Sequence, residues 1–141
     1  MQRERDVVDV MSGMALFADL SPAQLQEVAH TFDEETFEEG RRILRRGLTG
    51  GSFYVIVDGE AAVQVGDRRV STLGRGDFFG EISILLDETP SADITATSAM
   101  LRCIALPGEQ LAPFLLSHPT VAVRMLRAQA RRMREVIEWR S

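Results

Sequence analysis

The residues best placed to do chemistry lie between Leu73 and Ala92, in the run Leu73-Gly74-Arg75-Gly76-Asp77-Phe78-Phe79-Gly80-Glu81-Ile82-Ser83-Ile84-Leu85-Leu86-Asp87-Glu88-Thr89-Pro90-Ser91-Ala92. Three glycines fall within seven residues, and a short apolar pattern of helical period begins at Glu81. The first N–H groups of a helix have no intrahelical acceptor, and the helix dipole favours negative charge there, so a turn of this kind attracts an anion, phosphate above all. Glycine-rich turns in β-proteins also serve simply to reverse the chain. Glu81 fits both readings, as a binding group or as an acidic residue in a first helical turn.

Other chemistries find few residues to work with. The one cysteine, Cys103, sits in the apolar run Met100 to Leu106 and reads as a buried thiol that cannot form an intramolecular disulfide. Two histidines, His30 and His118, fall at expected helix ends, so no metal site is expected. All 16 basic residues are arginine, which removes any Gly-Lys-Ser phosphate loop, and no Ser, His and Asp set can be placed. No catalytic residue is assigned, no cofactor is required, and the chain is not expected to be an enzyme.

The elements that must position this segment follow from the pattern on either side. With 141 residues, 45% hydrophobic and 26% charged, the chain has the composition of one ordinary water-soluble domain. Arg3 to Met14 suggests a short first helix. Ser21, Pro22 and Gln24 form a capping-box start, after which Leu25, Val28, Ala29 and Phe32 fall at helical spacing. From Glu35 the period shortens, and strands are expected at Thr36 to Phe37, Arg42 to Leu44, Phe53 to Val57, Ala61 to Val65, Arg69 to Leu73, Ala92 to Thr97 and Leu101 to Leu106. Asp58-Gly59 predicts a tight hairpin, and Gly66-Asp67 a weaker one. Helical period returns at Leu111, Phe114 and Leu115, where Pro113 must start, kink or interrupt the helix, and a long helix opens at Pro119. The fold class is mainly β with flanking helices, a sandwich or jelly-roll barrel.

The segment from Leu73 to Ala92 resembles the phosphate-binding cassette of the cyclic nucleotide-binding domain family. Phe37, Gly40, Ile43, Gly47, Tyr54-Val55-Ile56, Gly59, Val63, Leu73-Gly74, Gly76 and Phe79-Gly80-Glu81 keep that family's order and approximate spacing, over about residues 15 to 139. The resemblance implies one domain with an N-terminal helical segment (1–34), a jelly-roll β-barrel (35–106) holding the cassette (74–92), and C-terminal helices (107–141). It implies cAMP or cGMP as nominal ligand, with Phe79, Gly80, Glu81, Ile82, Ser83, Ser91 and Ala92 as site residues. The backbone N–H groups of Gly80 to Ser83 would face the cyclic phosphate, and the Glu81 carboxylate would accept a hydrogen bond from the ribose 2′-hydroxyl. The family has an arginine straight after the cassette proline, where this chain has Ser91. A hydroxyl in place of a guanidinium loses a charge-assisted bond worth about 1.5–3 kcal/mol, so weak binding is expected. Arg45, Arg46, Arg75 and Arg102 lie on or beside expected strands, where one could reach the pocket, but each is expected on the surface and none to supply the missing charge.

The last helix carries Ala122, Leu126, Gln129, Met133 and Val136 at alternating spacings of four and three. That seam fits either a homodimer contact with Gln129 setting the register, or packing on the chain's own barrel. Trp139 is a candidate lid that would stack on a base, or else a packing residue. Arg124, Arg127, Arg131 and Arg134 make a basic stripe that is either solvated or meets an acidic partner. Neither a signal peptide nor a membrane span is visible, so a cytoplasmic location is the default expectation, and with no recognition helix before Ser141, DNA binding by this chain alone is not expected. The competing reading is a degenerate module that keeps the barrel for dimerisation or protein interaction, independent of nucleotide.

Overall fold

The structure, a computed structural model, describes residues 2–48 and 51–140, with side chains described over 6–48 and 51–137. In chain order the elements are α1 (Gln2–Ser12), a 3-10 turn (Ala15–Phe17), α2 (Pro22–Thr31), β1 (Asp33–Glu38), β2 (Arg42–Leu44), β3 (Ser52–Asp58), β4 (Ala61–Val65), β5 (Arg68–Leu73), β6 (Phe78–Phe79), α3 (Glu81–Leu86), β7 (Asp93–Ala96), β8 (Met100–Pro107), α4 (Gly108–Ser117) and α5 (Pro119–Arg140). The expected class holds: two antiparallel four-stranded sheets, ordered β1-β8-β3-β6 and β2-β7-β4-β5, carry helices at both ends of the chain. They form a jelly-roll sandwich rather than a closed barrel.

The first sheet is the middle of three layers, and its two central strands show why. Along β3, Phe53, Val55 and Val57 face a core shared with Val28, Phe32, Leu111, Phe114 and Met125 of the helical layer, while Tyr54 and Ile56 face the second sheet. Strand β8 divides likewise, with Ile104 and Leu106 toward the helices and Leu101, Cys103 and Ala105 between the sheets. Side chains alternate across a strand, so a run buried on every residue requires cover on both faces. The Cys103 thiol is fully buried, and this burial, with help from Glu35, pushes it up to about 12.

Several local expectations hold in detail. Ser21 Oγ accepts from the Gln24 amide at 3.2 Å and Gln24 Oε1 from the Ser21 amide at 2.8 Å, closing the capping box of α2. Pro113, by contrast, neither starts nor interrupts its helix: it lies inside α4 at an exposed position. Strand β1 is longer than its apolar residues suggested, because Asp33, Glu34 and Glu35 pair with Ala105, Ile104 and Cys103. Glu34 also receives two bonds from Arg102, at 2.6 and 3.2 Å.

The hairpin expected at Asp58-Gly59 is not one. Strand β3 pairs with β6 and β8, and β4 with β5 and β7, so the turn carries the chain from one sheet to the other. Gly59 has φ +99°, and a Cβ there would run into the Met100 carbonyl and Ser98 Oγ. The positive φ is real, but it serves a corner. The weaker signal, Gly66-Asp67, is the hairpin: Val65 pairs with Arg68 across it.

Candidate functional site

The cassette begins with a loop pinned to β3. The Ile56 amide donates to the Asp77 carbonyl and the Gly76 amide to the Ile56 carbonyl, both at 2.9 Å, while the Asp77 carboxylate accepts from the Gly74 amide at 2.8 Å. This pinning makes Phe78 and Phe79 a two-residue strand, β6, opposite Val55 and Tyr54. Sequence periodicity missed β6 because two residues have no period to read. Alternation then sends Phe78 into the helical core and Phe79 between the sheets, where it stacks on Tyr54 with centroids 5.0 Å apart.

Gly80 caps α3 with φ +94°, and a Cβ there would strike the Ser52 carbonyl oxygen. Only glycine combines that backbone conformation with so close an approach to β3. Glu81, Ile82 and Ser83 form the first turn of α3, with Ser83 Oγ donating to the Gly80 carbonyl at 3.3 Å. The helix ends at Asp87, a non-glycine residue at φ +54°.

Between the cassette and α5 lies a recess of about 190 Å³. Gly80, Glu81, Ile82, Ser83, Ser91, Ala92 and Phe79, the residues singled out from the sequence, all border it, together with Glu88, Pro90 and Arg132. Ser91 itself is exposed. Trp139, the lid candidate, has its side chain outside the described residues. Among the described residues, no group of His, Cys, Asp or Glu is arranged to hold a metal.

Of the three charged residues that border the recess, Glu81, Glu88 and Arg132, Glu81 is buried, at 2% exposed. Its carboxylate accepts a hydrogen bond from Gln129 Nε2 of α5 at 3.0 Å. Burial raises its pKa above the ordinary carboxyl value; its own backbone amide, Gln129 and the positive charge of Arg132 oppose that shift. Gln129 therefore faces its own chain, the second of the two arrangements open to it from the sequence, rather than setting the register between two helices. Seen in the fold, the expected seam divides. Gln129 looks inward near the buried Val121 and Met125, whereas Leu126, Met133 and Val136 are exposed along with Val123 and Ile137.

As expected, none of Arg45, Arg46, Arg75 and Arg102 borders the recess. Arg45 and Arg46 are exposed, Arg75 donates to the Val57 carbonyl at 3.1 Å, and Arg102 is engaged by Glu34. Arg132, missed in the sequence because only the fold brings α5 against the cassette, does border it. Its guanidinium sits 4.8 Å from the centroid of the Phe78 ring and reaches the Phe78 carbonyl at 3.5 Å. Arg124, on the basic stripe, is held by Asp19 at 2.8 and 3.0 Å, which lowers the Asp19 pKa and raises that of Arg124.

Comparison with known proteins places this geometry in context. The cyclic nucleotide-binding domain matches residues 34–118. A cGMP-dependent protein kinase of Caenorhabditis briggsae is 30% identical over 115 residues, covering 77% of this chain and 15% of the kinase. A cAMP-dependent protein kinase regulatory subunit of Hypocrea atroviridis is 31% identical over 96 residues, 68% of this chain and 21% of that subunit. The catabolite activator protein of Thermus thermophilus superimposes with a TM-score of 0.76 at 28% identity, over 86% of this chain and 59% of that one. The chain thus spans about a fifth or less of the length of these two curated relatives.

Proposed function

Since this chain belongs to the cyclic nucleotide-binding domain family, we propose that it is a regulatory rather than catalytic module that binds cAMP or cGMP weakly and signals through movement of α5. The observation that carries this reading is the contact between Gln129 and Glu81, which ties the last helix to the residue that the family resemblance assigns to the ribose. A ligand hydroxyl that bonds Glu81 must share or displace Gln129, so occupancy and helix position are linked. A ligand shifts such an equilibrium only by its differential affinity for the two arrangements. At about 190 Å³ the recess is smaller than the roughly 300 Å³ at which ligand sites usually begin, which fits a helix that must yield for a nucleotide to seat.

Weak binding follows from Ser91, a neutral donor where the family has a guanidinium. Calorimetric titration with cAMP and cGMP is expected to give dissociation constants no tighter than tens of micromolar, and Ser91→Arg to tighten them about ten- to a hundredfold. No change in the variant would mean that the cassette is mis-assigned. A homodimer through α5 and a cytoplasmic location complete the proposal. Supporting the first are Val123, Leu126, Ala130, Met133 and Ile137, exposed at spacings of three and four, a coiled-coil period. Consistent with the second, no described helix is long and apolar enough to cross a membrane. That same exposed stripe favours the second reading, a nucleotide-independent dimerisation module, should neither nucleotide bind.

A further inference from the structure

We propose that the countercharge for an anionic ligand in the recess is carried by Arg132 on α5, not by the cassette. This rests on the reading of the recess as a nucleotide site and names the residue that selects the phosphate there. Three observations converge on it. Arg132 is the one basic side chain among the described residues that border the recess, which also holds two carboxylates, Glu81 and Glu88. It lies three residues beyond Gln129, hence on the same face of α5 that reaches Glu81, and its charge is felt by that carboxylate. Its present polar contact, 3.5 Å to a neutral carbonyl, is at the outer limit of a hydrogen bond.

The guanidinium is held without being used up. Its Cζ lies 4.8 Å from the Phe78 ring centroid, within cation–π range, while a planar fork of five N–H donors keeps capacity for a second acceptor. An oxygen of a cyclic phosphodiester would offer a charged acceptor in place of the Phe78 carbonyl, a stronger and shorter bond. Arg132 also borders a second cleft of about 380 Å³, together with Arg124, Arg127 and Arg131. Because the charge rides on the helix that also holds Glu81, the same residue would decide ligand class and couple binding to the position of α5.

The test separates phosphate recognition from nucleoside recognition. The full chain is titrated calorimetrically with cAMP and cGMP and, in parallel, with adenosine and guanosine, which lack the phosphate. The wild type is expected to prefer the cyclic nucleotide by about tenfold or more, and Arg132→Gln to lose that preference while keeping its nucleoside affinity. Arg132→Met, which keeps the aliphatic stem on Phe78, is expected to behave as Arg132→Gln and carries the test if that variant does not fold. Arg132→Lys should retain part of the preference, and Arg127→Gln, on the cleft side, all of it. Unchanged cyclic nucleotide binding in Arg132→Gln or Arg132→Met overturns the inference and leaves the functional reading standing. So does a wild type that binds nucleoside and cyclic nucleotide equally. Binding of neither class overturns the functional reading, and this inference with it.

Discussion

Glu81 holds a carboxylate where burial works against its charge, and the sign of that conflict can be measured. Its folded pKa is raised, so the folded chain holds the proton more tightly than the unfolded one. The stability this contributes is fully present below the ordinary value of 4.5 and is lost as pH rises through the raised value. Glu81→Gln removes the charge, and its amide oxygen can still accept from Gln129. Thermal melts are expected to show the variant more stable than wild type at pH 7, with the advantage shrinking as pH falls toward 4. An equal gap at both pH values would show that burial of the charge is not the cause. The same variant should weaken cyclic nucleotide binding by about tenfold or more, because a charged acceptor is replaced by a neutral one. The residue type and its helix-start position were legible in the sequence. Its partner was not, since Gln129 lies 48 positions away and only packing brings the two together.

At the scale of elements, the cassette turn depends on one missing side chain. Gly80 joins β6 to α3 at a positive φ, against the backbone of β3. Gly80→Ala combines a left-handed cost of about 1–2 kcal/mol with overpacking of about 1–3 kcal/mol. A destabilisation of about 2–5 kcal/mol is expected in urea unfolding, along with loss of any ligand binding. A loss below 1 kcal/mol would mean that the turn relaxes away from Ser52. The glycine spacing showed in the sequence that tight turns occur here, but not which strand stands behind them. Asp58-Gly59 makes the same point, since its positive φ was predictable while the choice between hairpin and sheet-to-sheet corner was settled by the pairing of β3 with β8 and of β4 with β7.

At the scale of the molecule, α5 has two working faces. One packs inward through Val121, Met125 and Gln129, and the other exposes Leu126, Met133 and Ile137. Leu126→Asp combined with Met133→Asp is expected to convert a dimer to a monomer in native mass spectrometry without changing the thermal melt of the isolated subunit. A wild type already monomeric at high concentration would remove the dimer from the proposal. The sequence by itself determined most of the element types, though not the two-residue β6, together with the buried thiol and the position of the glycine-rich turn, because period, capping and positive φ are local properties of neighbouring residues. Only the tertiary structure decided that Arg132 rather than Arg45, Arg46, Arg75 or Arg102 borders the recess, and which face of α5 is free. Helical period defines the angles between side chains, but the rotation of the helix is set by what packs against it, here a core and a carboxylate far away in the chain.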